Sequence, residues 1–192
     1  TFLVATYTAG AIVARDSGDA EAWYGLGDAY WHDQGDPQRT ALSWTRALRA
    51  FNRTLALDSS FHLAYSHKLN TYQVAAVAAS PFVLVGDSVL VLADDAAEQA
   101  FGAQRLAEAK RRAQELSARE ARGWVSADPV PQPYIALANA LATTGQWDSA
   151  AAALGEAQAR PELRGGTMPF IHATVLTRVD AARAVAAARA AV

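Results

Sequence analysis

The stretch AWYGLGDAY, residues 22–30, is nearly repeated further along the chain as AYSHKLNTY, residues 64–72. Large apolar side chains recur in both copies at offsets of about three, four and seven residues, which places them on one face of a helix. Small residues between them allow a second helix to approach closely. The pattern predicts that the aromatic residues pack, and that the helix crossing is wider or shifted where leucine replaces glycine. The matched positions are Ala22 with Ala64, Trp23 with Tyr65, Gly27 with Leu69, and Tyr30 with Tyr72.

A third copy at residues 134–161 contains both helices of the repeating unit. Its first helix carries an aromatic residue, a Leu–Ala pair and a further leucine. Repetition of this kind indicates an array of helix pairs in which each pair packs on the next. The positions that define this copy are Tyr134, Leu137, Ala138, Leu141, Gly145, Trp147, Ala150, Leu154, Ala157 and Pro161.

On these residues the chain resembles the tetratricopeptide repeat (TPR) family. The resemblance implies an all-α fold, a right-handed superhelical solenoid of helix–turn–helix units, here with insertions. The stretch from AWYGLGDAY to SHKL at residue 69 also resembles repeat regions that follow bacterial serine/threonine kinase domains or transcriptional regulators. Because the chain begins with Thr1 and not with methionine, we expect a fragment or a processed product of a larger bacterial polypeptide.

The first copy is longer than the family unit. Trp23 and Tyr65 are 42 residues apart, against a family period of about 34. The surplus of about eight residues corresponds to two helical turns. It lies before the second helix, where Asp36 and Pro37 resemble an N-cap followed by proline in the first turn. We therefore predict a lengthened second helix over residues 37–57.

The second copy carries an insertion at residues 81–92, PFVLVGDSVLVL, in which two apolar runs flank Gly86-Asp87-Ser88. This pattern predicts either a short β-hairpin or an extended loop packed on the helices. Asp95, with Glu98 three residues on, predicts the start of a long helix that ends near Arg122. Three prolines then predict a linker over residues 123–133.

These observations divide the chain into one solenoid over residues 1–192. The predicted parts are a lone helix at 2–17, a first repeat at 19–59, a second at 60–122, the linker at 123–133, a third repeat at 134–161, and a partial repeat at 167–192.

Composition excludes several kinds of partner and cofactor. The formal net charge is −2 and acidic residues are interleaved with the basic ones, so the chain lacks the basic field that nucleic-acid binding requires. It contains no cysteine, which excludes disulfides and thiolate metal sites. The longest uncharged run, residues 69–86, contains Asn70, Gln73 and Pro81 and is a poor membrane span. We predict no cofactor, no nucleic-acid partner and no membrane span.

The block VLVGDSVL, residues 83–90, resembles the nucleophile block of the GDSL esterases. That family supplies its catalytic base from a downstream Asp-x-x-His, whereas Asp180 is followed by Ala181, Ala182 and Arg183. A serine nucleophile needs a positioned histidine and oxyanion donors, and His172 has no carboxylate near it in the sequence. We interpret the block as a turn and predict that the chain is not an enzyme.

The four histidines, His32, His62, His67 and His172, do not form a recognisable metal motif. Metal ligands on one helix are usually three or four positions apart, so that they share a face, and His62 and His67 are five apart. Asp28 and His32 do share a face, with Asp33 and Asp36 following. We interpret this group as solvated polar residues at a helix end and predict no metal site.

In TPR proteins the first helices line a concave groove that holds a peptide or a protein. The register of the copies transfers that role to a set of first-helix residues. Chaperone-tail-binding members hold a C-terminal carboxylate with basic residues, whereas the matched positions here are Asp28, Gln73 and Ala142. The first hypothesis is therefore a non-catalytic scaffold for another kind of peptide or protein. Its predicted partner-binding residues are Tyr24, Asp28, Trp31, Ser66, Asn70, Gln73, Ile135 and Asn139.

The alternative hypothesis is a structural subunit that binds copies of itself end to end. Solenoids need polar caps to remain soluble, and neither TFLVATYTAGAIVA at the start nor AARAVAAARAAV at the end resembles a cap. Ends that match head to tail generate an open filament. The first hypothesis suits a cytoplasmic regulatory fragment and the second an extracellular filament, so the sequence leaves the compartment open.

Overall fold

A computed structural model describes residues 2–163, 171–172 and 174–181. Its regular structure is helical apart from one β-hairpin within these residues, which confirms the all-α class and, for residues 81–92, the hairpin. None of the described helices combines the length and apolar character needed to cross a bilayer. The elements are α1 (Phe2–Arg15), α2 (Ala20–His32), α3 (Pro37–Leu57), α4 (His62–Ala76), β1 (Phe82–Val85), β2 (Ser88–Val91), α5 (Asp95–Phe101), α6 (Ala103–Ala127), α7 (Pro131–Thr143) and α8 (Trp147–Ala159).

Two compact units divide the chain, Thr1–Glu120 and Ala121–Val192, whereas the repeat pattern predicts a single array. Residues 171–172 and 174–181 are helical. The remainder of the predicted partial repeat at 167–192, including the alanine-rich end, lies outside the described residues.

The first unit is built on the close crossing of α2 and α3. Gly27 is buried in α2, and a Cβ atom at this position would lie 2.6 Å from Cε1 of Phe51 on α3. Phe51 is fully buried and packs with Ala47 and Ala64. Glycine is therefore required at Gly27 because the backbone of α2 lies directly against an aromatic ring. Tyr30 packs against the same cluster, as its position in the pattern predicts.

Trp23 has a different role from the one predicted. It lies half-buried beside the turn between α1 and α2, and its indole N–H donates to the Ser17 carbonyl at 3.1 Å. Helix α1 packs along α2, where the Ala9 methyl lies 4.0 Å from the position that a Cβ atom would take at Gly25. Trp23 thus helps to fix the α1–α2 turn.

Helix α3 spans Pro37–Leu57, which confirms the lengthened second helix. Its N-cap is Asp36, whose carboxylate accepts the Arg39 backbone N–H at 3.0 Å. Pro37 lies in the first turn, where a backbone N–H would make no hydrogen bond within the helix, so proline is tolerated there. The extra turns bury Thr40, Ala41 and Trp44. They provide the surface on which the insertion packs.

The insertion is an antiparallel hairpin in which Val85 pairs with Ser88 across a two-residue turn. Gly86 has φ +59°, a conformation that glycine adopts without strain. The Gly-Asp-Ser segment therefore supplies the residues of the hairpin turn. Leu84 and Val89 join a core cluster with Trp44 and Tyr72. The hairpin therefore closes the core that α3 and α4 leave open.

Buried polar contacts fix the hairpin in place. The Thr45 hydroxyl on α3 accepts the Val89 backbone N–H at 2.8 Å and donates to the Ala41 carbonyl at 2.9 Å. On the opposite side, Lys110 Nζ of α6 donates to the carbonyls of Ser80 and Phe82, at 2.8 and 2.9 Å. A two-stranded sheet leaves backbone N–H and C=O groups without a partner strand, and such groups are costly to bury. Thr45 and Lys110 hydrogen-bond to some of these groups, so the hairpin can lie against the helices.

The prediction of a long helix from Asp95 to near Arg122 is wrong in two respects. Asp94, not Asp95, caps α5 by accepting the Ala97 backbone N–H at 2.8 Å. Gly102 has φ +89°, which separates α5 from α6. Helix α6 then continues to Ala127, because residues 123–126, Gly-Trp-Val-Ser, contain no proline to stop it.

Most of the predicted linker over residues 123–133 is therefore helical. Pro131 and Pro133 lie in the first turn of α7, where proline is tolerated. In the second unit α7 packs against α8 around the fully buried Tyr134 and Leu154. Gly145, with φ +74°, lies in the turn between the two helices.

A buried ion pair connects α4 to α6 within the first unit. Lys68 Nζ lies 2.7 Å from Glu120 Oε2, and the two side chains are 5% and 13% exposed. Burial lowers the pKa of Lys68, and the Glu120 carboxylate opposes that shift without reversing it. The exposed Arg119 also contacts Glu120, at 3.2 Å. The long side chains of this ion pair thus join the two helices.

We predict that Gly27→Ala destabilises the protein. The added methyl meets the buried Phe51 ring and lies 3.2 Å from the Ala50 methyl, and such overpacking costs about 1–3 kcal/mol. The better helix propensity of alanine returns about 1 kcal/mol, so a net loss of up to about 2 kcal/mol is expected in urea unfolding. Gly25→Ala in the same helix is the control and should be neutral or stabilising. Equal effects of the two changes would contradict the close crossing.

We also predict that Glu120→Gln costs about 2 kcal/mol at neutral pH, because the Lys68 ammonium loses its charged acceptor. The folded-state pKa of Lys68 should then fall further below the unfolded value. Between those two pKa values the unfolded chain binds more protons, so the stability of the variant rises with pH and its deficit shrinks toward pH ~10. Urea unfolding across pH measures this trend. Glu115→Gln, at an exposed pair on the same helix, should have no measurable effect; a deficit independent of pH would refute the role given to Lys68.

Candidate functional site

Helices α2 and α4 lie side by side in the first unit, and three predicted partner-binding residues lie where they meet. The Tyr24 ring packs against Phe61, which precedes α4, with centroids 4.8 Å apart. Asp28 Oδ1 lies 3.3 Å from His67 Nε2. The Trp31 indole N–H donates to Thr71 Oγ1 at 3.1 Å. Tyr24, Asp28 and Trp31 thus form one connected surface with α4.

Trp31 is held from three sides. Its ring is stacked on that of Trp44, with centroids 6.5 Å apart and an interplanar angle of 13°. Its carbonyl accepts the Trp44 indole N–H at 3.2 Å, and its own indole N–H is bound to Thr71. The indole meets the rings of His32 and His67 edge-on, at 4.9 and 4.7 Å. Trp31 therefore fixes both imidazoles in position as well as contributing aromatic surface.

Asp28 is at the centre of this group. Its Oδ1 atom lies 3.5 Å from His32 Nε2, 3.3 Å from His67 Nε2 and 3.5 Å from the Tyr24 hydroxyl. Burial, and secondly the negative charge of Asp28, raise the pKa of Tyr24 to about 12. The Tyr24 hydroxyl therefore keeps its proton across the physiological range and acts as a donor toward the carboxylate.

Sequence reasoning missed His67, and it grouped Asp28 and His32 with two acids that have other partners. Asp33 accepts hydrogen bonds from the Arg39 guanidinium and from the Ser43 hydroxyl, and the Arg39 contact holds the pKa of Asp33 below its usual value. Asp36 caps α3. Both acids thus stabilise the connection between α2 and α3. The residue that lies beside Asp28 is instead His67 on α4.

The remaining predicted residues are distributed over α4 and α7. Ser66 and Asn70 are exposed and lie four positions apart on α4, while Gln73 is half-buried. In the second unit, Asn139 of α7 is exposed and Ile135 is half-buried. The surface made by Tyr24, Asp28, Trp31, Ser66, Asn70 and Gln73 is called the α2–α4 face below.

Comparison with known proteins gives one informative result. No family model matches the chain, and no curated protein matches it. A crystal structure of a thermophilic TPR protein from Thermus thermophilus superposes with a TM-score of 0.55 and 12% sequence identity, covering 90% of this chain and 71% of that one. At this identity the likeness concerns the fold alone. Together with the helix pairs described above, it establishes that the chain has a TPR-like helical-repeat fold.

Proposed function

We propose that the chain is a non-catalytic scaffold that docks a peptide or a protein segment on the α2–α4 face. A TPR-like fold suits this role because helix pairs present extended surfaces to partners. The observation that carries the proposal is that α2 and α4 lie directly side by side, with Asp28 3.3 Å from His67, while Ser66 and Asn70 on α4 remain exposed. The face thus has a rigid aromatic part and a free polar part.

The two parts would have different roles in binding. An exposed asparagine amide can donate to and accept from one peptide group of an extended partner, so Asn70 is placed to bind backbone independently of the partner's sequence. Tyr24 and Trp31 would supply apolar contact area at little entropic cost, because their rings are already fixed by Phe61 and Trp44. Ile135 and Asn139 would repeat this pairing of apolar and amide groups on α7.

Asp28 restricts the kind of partner. Where no cation neutralises it, a carboxylate in the middle of the face repels the C-terminal carboxylate of a partner, which agrees with the acidic and neutral residues at the positions where chaperone-tail-binding proteins have basic ones. The α2–α4 face therefore suits an internal segment of a partner.

We predict that Asn70→Ala weakens binding of a peptide about tenfold, which corresponds to about 1.4 kcal/mol for the lost amide hydrogen bonds. The full chain would be used to select peptides from an immobilised library, and affinities would be measured by fluorescence anisotropy.

Asn52→Ala removes an equally exposed amide from α3 and is the matched control. The proposal requires that this change leave the affinity unaltered. Equal losses in the two variants, or selection of no peptide at all, would contradict docking on the α2–α4 face.

The alternative is self-assembly into a filament, and one observation favours it. Helix α1 exposes three large apolar side chains, those of Val4, Tyr7 and Ile12, at 68%, 80% and 39% exposure. Such a group is a candidate for burial against another chain. The opposite end of the predicted head-to-tail contact, residues 182–192, lies outside the described residues.

If α1 mediates polymerisation, Tyr7→Asp should abolish polymers that light scattering and negative-stain microscopy detect in the unmodified chain. The introduced charge would have to be buried in the contact. Leu42→Asp changes an exposed leucine of α3 (52% exposed) and should leave polymers intact. Monomers at all concentrations in every variant would eliminate the filament and leave the docking proposal standing.

A further inference from the structure

We propose that Asp28 and His32 of α2 together with His67 of α4 bind a divalent transition metal ion of the Zn²⁺ type. This inference is independent of peptide docking and assigns a new ligand to the centre of the α2–α4 face. It rests on the convergence of three ligand atoms, on the fixed orientation of His67, and on the aromatic shell around the group.

Two of the three separations between ligand atoms are already close to those that a metal ion requires. Asp28 Oδ1, His32 Nε2 and His67 Nε2 all lie within 4.8 Å of one another. The two carboxylate–imidazole distances are 3.5 and 3.3 Å. Tetrahedral coordination with bonds of about 2.0–2.1 Å would place neighbouring ligand atoms about 3.3–3.4 Å apart. Small side-chain adjustments therefore suffice to complete the site.

The orientation of His67 is set by its own helix. Its Nδ1 atom lies 2.9 Å from the Leu63 carbonyl oxygen, which can only accept a hydrogen bond, so Nδ1 carries the proton. In the neutral ring, Nε2 then directs a lone pair toward Asp28, where it meets a second acceptor. A contact between two acceptors is favourable only if a cation lies between them. A backbone carbonyl that fixes the far nitrogen is also the usual support of a metal-bound histidine.

The arrangement without a metal ion is a pair of hydrogen bonds to Asp28 Oδ1, one from the Nε2–H tautomer of His32 and one from His67. It requires His67 to carry a second proton, because its Nδ1 already donates to the Leu63 carbonyl. A metal ion uses all three groups at once. Two imidazoles and a carboxylate form a ligand set that suits Zn²⁺ and its neighbours in the first transition series.

The surroundings resemble the shell of a metal centre on one side and are open on the other. Trp31 meets both imidazole rings edge-on and is itself fixed by Thr71 and Trp44, so the ligands are held before metal arrives. The side chain of His67 is 16% exposed, that of Asp28 38% and that of His32 59%. Solvent thus reaches the site from the His32 side. A water molecule or a side chain of a docked partner can complete the coordination there.

The test is Zn²⁺ binding to the full, metal-stripped chain, measured by isothermal titration calorimetry. We expect one Zn²⁺ per chain, and a dissociation constant at least tenfold higher in each of His32→Gln, His67→Gln and Asp28→Asn. Zn²⁺ should also raise the melting temperature of the unmodified chain. In nitrogen-resolved NMR spectra, the Nε2 resonances of His32 and His67 should shift with Zn²⁺ while those of His62 and His172 do not.

His62→Gln is the matched control, because it removes an exposed histidine from the same helix as His67. It should retain unmodified affinity. His32→Gln alters an exposed side chain and keeps the test decisive even if His67→Gln disturbs folding. The proposal is overturned if the unmodified chain takes up no Zn²⁺, if His32→Gln and Asp28→Asn bind it as well as the unmodified chain does, or if His62→Gln loses as much affinity as they do.

Discussion

The contact of the α2 backbone with the Phe51 ring at Gly27 is the constraint on which the first unit depends. It lets α2 lie close to α3, and the Phe51 ring then fills the space between α2, α3 and the start of α4, where it also meets His67 at 5.3 Å. The same close crossing brings Trp31 within stacking distance of Trp44. A glycine and a phenylalanine thus determine where the side chains of α2 stand relative to α4, and Lys68 with Glu120 holds α4 from its other side.

Local signals in the sequence predicted the fold well wherever one residue determines the outcome. Asp36 and Pro37 located the start of α3, and Gly86-Asp87-Ser88 marked the segment for which a hairpin was one of two alternatives. The predicted helix boundaries were wrong where more than one nearby residue could start or end the helix. Asp94 and Asp95 could each cap a helix, and only the backbone conformation in the structure shows that Asp94 is the N-cap. Gly102 interrupts a helix although glycine is often tolerated within one, and the prolines after Ala127 start α7 instead of lengthening a linker.

The candidate site was predictable only in part, for a similar reason. Asp28 and His32 are visible as neighbours on one helix face because they are four positions apart. His67 is 39 residues from Asp28, and its proximity follows only when two first helices are placed side by side. The 42-residue register contained a usable signal, since it matches His67 with Gly25, on the turn of α2 that precedes Asp28. The register alone does not show that His67 contacts Asp28, and the packing of α2 against α4 in the structure was needed to show it.

The α2–α4 face contains the carboxylate of Asp28, which is an unusual group for a surface that only binds a partner. Seating a partner over Asp28 would bury a carboxylate, which is unfavourable without compensation. The Tyr24 hydroxyl offsets little of this cost, because its hydrogen bond to Asp28 is long, at 3.5 Å. Imidazole N–H groups directed at this oxygen offset part of the cost as hydrogen-bond donors, whereas a metal ion held by all three groups would also balance the charge of the carboxylate. If the proposed metal ion is bound between α2 and α4, a partner would cover Asp28 without leaving its charge unmatched.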